Sequence, residues 1–415
     1  PYTTLFRSIN LNSPLTIKGI TIKNRVAKGA LSEGMATLGK GRVTPQLLRM
    51  YCAWGKGELA FCITGNVMVD VNAKNEPGNT VIEDERDLVK LKEWANLGKM
   101  YNMVQIVQLS HPGKQCLKGL NKETVAPSAI GFGAELAPLF GTPRALTEAE
   151  ILRLIQRFGE SARICKKAGF EGVQLHGAHG YLISQFLSPL TNQRTDQWGG
   201  SLENRARLLL EIVKAVRMVV APTFVVAVKL NSADFQRGGF SVDDAKRVVQ
   251  LLNHADVDVV ELSGGSYEAP AMQGEARDGR TLAREAYFVE FAQEIGQIAQ
   301  MPIMVTGGIR RHVVAEQVMQ AGVDLVGMAT ALAIVPDLPN QWRQGQDPAP
   351  VLEPITWKNK VLASLANMAM VKFQLVKLSK NKLTHPQVSP ARALGLQQIA
   401  TVCQTRQYRR WMQQD

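Results

Sequence analysis

Phe224-Val-Val-Ala-Val228 is apolar at consecutive rather than alternate positions. A strand with water on one side alternates polar and apolar residues. A strand without alternation is covered on both faces, as in a parallel sheet wrapped by helices. With this run extended to Phe224–Leu230, seven further short apolar stretches read as strands: Arg25–Leu31, Glu58–Thr64, Met103–Leu109, Gly172–His176, Val257–Leu262, Pro302–Thr306 and Val323–Met328. Helix-period stretches lie between them, at Pro45–Trp54, Asp84–Lys99, Glu148–Lys167, Glu203–Val219, Val242–Asn253, Leu282–Ala299 and Val313–Gln320, and the short Pro336–Arg343 follows the last strand. Strand–helix repetition predicts a parallel sheet, and eight units in about 320 residues predict a closed α/β fold, the (β/α)8 TIM barrel, over an open doubly wound sheet. No Gly-x-Gly-x-x-Gly follows a strand, which speaks against a dinucleotide-binding sheet.

The composition agrees with an ordinary enzyme: 415 residues, 45% apolar and 20% charged. A chain of that length buries a large core without disulfides or metals. Its five cysteines (Cys52, Cys62, Cys116, Cys165 and Cys403) are scattered and odd in number, and none forms a Cys-x-x-Cys pair. That argues against a disulfide framework, a zinc ribbon or a cysteine-ligated iron–sulfur cluster. Cys116 reads as a buried, inert thiol. The longest apolar stretch, Val219–Val228, is half the length needed to span a bilayer. No transmembrane segment is therefore expected. Residues 1–12 lack the basic end and apolar core of a secretion signal, so the expected location is cytoplasmic.

The net charge of +12 would suit a nucleic-acid partner, but its distribution does not. Residues 341–415 hold 11 Lys and Arg against 3 Asp and Glu, an excess of 8, while the other 340 residues carry an excess of only 4. The pattern divides the chain into a barrel, residues 1–348, and a basic helical C-terminal extension, residues 349–415. In the extension Leu362, Leu365, Ala369, Phe373 and Val376 fall on one helical face, expected to pack outside the barrel or on a partner. The stretch Lys118–Pro143, containing Gly and Pro, is long for a barrel connection and reads as a lid or binding loop.

Chemistry in such barrels sits at the C-terminal ends of the strands. There the first strand brings Ser32, the second Gly65, the third Gln108, the fourth His176 with His179 and Tyr181 just beyond, and the fifth Lys229 and Asn231. The sixth ends in Ser263-Gly-Gly, the seventh in Thr306-Gly307-Gly308, and the eighth in Gly327-Met-Ala329-Thr330. Glycine turns expose backbone N–H groups to an anion, so a phosphorylated ligand is expected.

The most specific stretch is His176-Gly-Ala-His-Gly-Tyr-Leu-Ile-Ser-Gln-Phe-Leu-Ser-Pro-Leu-Thr-Asn-Gln-Arg-Thr-Asp-Gln-Trp-Gly-Gly-Ser-Leu-Glu-Asn-Arg205. With Ser13-Pro-Leu, Lys23-Asn-Arg25, Val107-Gln-Leu-Ser-His-Pro-Gly-Lys114, Asp324-Leu-Val-Gly327 and Pro336-Asp-Leu-Pro339, it closely resembles the old yellow enzyme family of FMN-dependent ene-reductases and NAD(P)H:flavin oxidoreductases. The resemblance covers about four fifths of the chain, as the one large domain of a single-domain barrel would. It implies FMN as cofactor, NADH or NADPH as reductant, and a small enone or quinone as substrate. In it His176 and His179 hold the substrate carbonyl oxygen as an oxyanion hole does, and Tyr181 donates the proton. Gln108 reads the pyrimidine edge of the flavin. Lys229 stands where the family usually has arginine, keeping the charge and losing the planar two-point contact. Ser32 matches a position that touches a flavin carbonyl, and Ala30, where proline is common, and Leu31 line the same edge beside Gly65. The phosphate would lie against Gly307, Gly308 and Ala329. Thr330 replaces the arginine that usually clamps it, with Arg310 and Arg311 as possible substitutes. The block from Asn192 to Arg205 reads as scaffold, with Ser201 capping the following helix.

Two other readings stay open at this level. Oxidative demethylase and dienoyl-thioester reductase relatives carry an iron–sulfur cluster after the barrel, whereas this extension has only Cys403. A basic, RNA-binding flavoenzyme would place its cations around the active rim rather than at the C-terminus. No nucleic-acid partner is expected, and the sequence is compatible with a homo-oligomer.

Overall fold

The computed structural model describes residues 9–270, 286 and 288–413. Eight strands close into the parallel barrel expected from the sequence: β1 Val26–Lys28, β2 Phe61–Met68, β3 Val104–Ser110, β4 Gly172–Gly177, β5 Val225–Asn231, β6 Val259–Ser263, β7 Ile303–Val305 and β8 Leu325–Met328. β8 pairs with β1 through Val326 and Val26, which completes the ring. Helices lie between successive strands where the periodicity puts them, among them Pro45–Lys56, Leu88–Met100, Glu148–Ala168, Leu202–Val219, Val242–Asn253 and His312–Gln320. The helix expected over Leu282–Ala299 is observed as Val289–Gly296; residues 271–285 and 287 lie outside the described residues.

Side chains alternate in and out of a barrel wall, so each strand is read every second residue. On β3 the inward positions are Val104, Ile106 and Gln108; on β5 they are Val225, Ala227 and Lys229; on β6 Val259, Glu261 and Ser263. The apolar members of these series join Phe61, Ile63, Met304 and Leu325 in one buried cluster. The barrel interior is thus apolar at its N-terminal end and polar at its C-terminal end, where Gln108, Gln174, His176, Lys229, Glu261 and Thr306 are all buried. That polar layer is the floor of the site.

Three features depart from the sequence reading. A hairpin, Leu15–Ile17 with Ile20–Ile22, plugs the N-terminal mouth, and Ile17 and Ile22 join the interior cluster. Its turn uses Lys18 and Gly19 at φ 50° and 80°, a dipeptide without the Asn-Gly signal. Strand β2 does not stop at Gly65 but runs to Met68, and its register against β3 shifts between Ile63 and Asn66. In the extension, helices Lys360–Leu378 and Pro390–Met412 pack on the barrel, and the buried face is Ala363, Ala366, Ala369, Met370, Gln374, Leu375 and Leu378; of the expected stripe Ala369 lies in that face and Phe373 packs against it, Leu365 and Val376 are half-buried, and Leu362 is exposed. The buried face thus overlaps the apolar stripe expected over Leu362–Val376 at Ala369 and Phe373 and departs from it at Leu362. Lysines share the helix with it, so spacing alone did not fix which face meets the barrel. Val361–Leu378 is also long and apolar enough, by length and composition, to cross a membrane; here nearly half of it is buried against the protein.

Candidate active site

Strand β4 delivers His176 at its end, and the chain then reverses. His179 has φ 61° and Gly180 φ 73°, two successive left-handed residues. For a histidine that conformation costs about 1–2 kcal/mol, and such strain collects at functional sites. The reversal brings three rings together: His176 lies 5.2 Å from His179 and 4.7 Å from Tyr181, centroid to centroid, both edge-on. The backbone N–H of His179 donates to Asn231 Oδ1 (3.1 Å), and its Nε2 is 2.7 Å from Ser263 Oγ. The Ala178 N–H donates to Nδ1 of His176 (3.4 Å), which places the ring proton on Nε2. Burial, and then the Lys229 charge, push both imidazoles well below their ordinary range, so both are neutral at pH 7.

Tyr181 is buried, and its hydroxyl meets the Tyr267 hydroxyl at 3.1 Å and accepts from Asn75 Nδ2 at 3.2 Å. Burial, followed by the neighbouring Tyr267, raises its pKa well above that of a free phenol. Tyr181 therefore keeps its proton until a strong base is formed beside it. The Lys118–Pro143 stretch folds toward this corner: Phe132 contacts Phe140 at 4.5 Å and Phe140 contacts Tyr267 at 5.9 Å. Lys114, buried at the foot of the loop, donates to the Gly131 carbonyl and pairs with Glu268 at 3.2 Å. A small pocket opens beside Gly180, lined by Lys114, Gln115, Phe132, Gln185 and Asp234.

A chain of hydrogen bonds crosses the polar layer below the rings. Gln108 Nε2 donates to Gln174 Oε1 (2.8 Å), Gln174 Nε2 to Glu261 Oε2 (2.7 Å), and Lys229 Nζ to Glu261 Oε1 (2.8 Å). Lys229 and Glu261 are both buried, so the cation expected at this position comes with its own counter-charge. Glu261 and Gln174 were not singled out from the sequence. A single acid inside Val-Val-Glu-Leu-Ser was the available signal, because a charge on an apolar strand needs a buried partner.

On the opposite side the end of β1 meets β2. A side chain at Gly65 would collide with the Leu31 carbonyl and the Glu33 carboxylate, so glycine is required there. Glu33, also missed from the sequence, accepts from the Gly65 N–H at 2.9 Å and from the Tyr51 hydroxyl. Ala30 and Leu31 pack on the adjoining cores, and Ser32 is exposed at the rim with its hydroxyl donating to Glu76. At the far side Gly307 and Gly308 have φ 119° and 75°, a conformation favouring glycine that turns their N–H groups out of the sheet. Ala329 precedes the short helix Thr330–Ile334, and Thr330 is exposed. The residues picked from the sequence thus fall on one rim: the rings and Lys229 on one side, Ala30–Ser32 and Gly65 on another, and the glycine turn beyond them.

This donor set fits FMN. Gln108 presents an amide at the floor, Lys229 a buried cation, and the Gly307-Gly308 turn the N–H groups a phosphate needs, whereas Gly65, expected to hold the cofactor, has its N–H taken by Glu33 and its open face filled by Leu31 and Glu33. The other expectations resolve by geometry. Cys116 is buried with its thiol pushed up to about 12 by burial, an inert group. The block after Thr191 is scaffold: Asn192 Nδ2 donates to the Phe186 and Trp198 carbonyls, Arg194 to the Leu146 carbonyl, and Ser201 caps Asn204.

Comparison with known proteins gives the same assignment. The model of the NADH:flavin oxidoreductase / NADH oxidase family matches residues 10–348. The NADH-dependent flavin oxidoreductase iliE of Hypocrea jecorina is 35% identical over 80% of this chain and 88% of its own. An NADPH dehydrogenase of Geobacillus is 33% identical over 78% of this chain and 90% of its own. Among solved structures, the old yellow enzyme homologue of Zymomonas mobilis shares the fold with a TM-score of 0.70 at 22% identity, covering 84% of this chain and 95% of that one. The chain therefore belongs to the NADH:flavin oxidoreductase / NADH oxidase family of FMN-dependent, NAD(P)H-using oxidoreductases.

Proposed function

We propose that this site reduces the activated C=C bond of an α,β-unsaturated carbonyl compound. The observation that carries the reading is the pair of neutral imidazoles, His176 and His179, held 5.2 Å apart with the Tyr181 ring 4.7 Å from His176. FMN, when bound, supplies the hydride that adds to the β-carbon. The chain supplies the rest. The histidines donate to the carbonyl oxygen; being neutral, they polarise it without surrendering a proton, and they stabilise the charge that grows there. Tyr181 then gives its proton to the α-carbon, which at that moment is an enolate-type base strong enough to take it from a buried phenol. Tyr267 and Asn75 hold the Tyr181 hydroxyl in place. Aromatic side chains of the Lys118–Pro143 loop keep bulk water from the enolate.

The test is product analysis. FMN-loaded protein, given NADH or NADPH and a cyclic enone under anaerobic conditions, should yield the saturated ketone in step with reductant consumed. Reductant consumption that leaves every enone of a panel unsaturated would refute the proposal.

A further inference from the structure

The C-terminal extension reaches the Ser32 edge of the active rim through Lys372. Lys372, in helix Lys360–Leu378, places its ammonium 3.2 Å from Glu76 Oε2 and 3.4 Å from the Ser32 carbonyl oxygen. Glu76 in turn accepts the Ser32 hydroxyl through its other oxygen. The pair is only partly exposed, at 15% for Lys372 and 24% for Glu76. A side chain at Gly34 would run into both the Lys372 ammonium and the Glu76 carboxylate, and Gly34 has φ 56°, so the local backbone makes room for this pair. The helices are tied down on the same face. Arg49 Nε donates to the Ser379 carbonyl (2.6 Å), the Tyr408 hydroxyl to the Val71 carbonyl (3.1 Å), and Arg409 Nε to the Gly119 carbonyl (2.6 Å).

Glu76 stands between two parts of the site. On one side it holds Ser32 at the end of β1. On the other, Asn75, its neighbour in sequence, donates to the Tyr181 hydroxyl, and the Glu76 charge acts on Tyr181 and Tyr267. An unneutralised carboxylate here would oppose negative charge accumulating on anything bound against Ser32.

We infer that Lys372 is a positioning residue of the active site: by neutralising Glu76, the C-terminal extension sets the electrostatic potential at the Ser32 edge of the bound flavin and so its reduction potential. The inference rests on the function proposed above and on the sequence expectation that the flavin of that site lies against Ser32. It gives the basic extension a role in the site rather than at an acidic partner.

Charge additivity provides the test, read as the midpoint potential of bound FMN by spectroelectrochemistry on the full chain. Lys372→Met leaves the carboxylate alone and should shift the potential negative. Glu76→Gln leaves the cation alone and should shift it positive. The double variant should return close to the parent value, and Lys372→Arg should keep it. Opposite signs in the two single variants are a result that loosened packing would not produce. Parent potentials in both single variants, or shifts of the same sign, would overturn the inference while leaving ene-reduction intact. If Lys372→Met does not fold, Glu76→Gln alone decides, because an unchanged or negative shift refutes it. A chain that binds no FMN overturns both this inference and the function on which it rests.

Discussion

Replacing Lys229 by methionine isolates the buried charge pair beneath the site. Lys229 Nζ and Glu261 Oε1 are 2.8 Å apart, Glu261 is fully buried, and Gln174 would remain as its donor. Breaking a buried pair from one side leaves an uncompensated charge and costs about 3–5 kcal/mol. Unfolding entropy scales at about 2.1 cal/mol/K per residue, which over 415 residues is on the order of 0.9 kcal/mol/K, so the melting temperature should fall by about 3–6 °C. Lys229→Met/Glu261→Met removes both charges and should recover most of that loss, because apolar pairs often replace buried ion pairs without penalty. The measurement is calorimetry on FMN-stripped protein, so that a lost flavin contact does not enter. A Lys229→Met protein melting with the parent, or a double variant worse than the single, would refute the picture of a cation held by its own buried counter-charge.

Two further outcomes follow from the same geometry. His111 is pushed down to about 4, and His176 and His179 well below the imidazole range, all mainly by burial. Unfolded, the three titrate near 6.5, so only the unfolded chain takes up their protons below that pH. Stability is full above about pH 6.5 and should drop as pH falls, by up to about 1.4 kcal/mol per pH unit for each histidine; urea unfolding at pH 7.5 and 5.5 checks this, and equal stability would contradict it. Thr330 is exposed at the rim. Thr330→Arg should tighten FMN binding about ten- to hundredfold, the value of roughly 1.5–3 kcal/mol for a charge-assisted hydrogen bond. Unchanged affinity in a fluorescence titration would mean that arginine cannot reach the phosphate.

The barrel was legible because strands buried on both faces are apolar without a break, as at Val225–Val228, and the helices between them carry a plain 3.6 period and caps such as Thr147 with Glu150. The last four residues of β2 were not, because the apolar run breaks at Gly65 and Asn66, where the strand continues through a register shift and Gly65 packs against Leu31 and Glu33. His176, His179 and Tyr181 were legible because one short segment carries all three. Glu261 was not, since an acid in an apolar strand names no partner until β5 lies beside β6. Lys372 and Glu76 are 296 residues apart, and local sequence contains no sign of that contact.

Tyr181→Phe separates proton donation to carbon from flavin reduction. FMN-loaded parent and variant are compared with one NAD(P)H donor against two acceptors, a cyclic enone that takes a proton on carbon and a quinone that does not. Loss of a positioned proton donor lowers the step it serves by about 10²–10⁴-fold, so the enone rate should fall by that order while the quinone rate stays near the parent value. An enone rate that survives the substitution, or a quinone rate that falls with it, would contradict the assignment of Tyr181 as the acid of an ene-reductase.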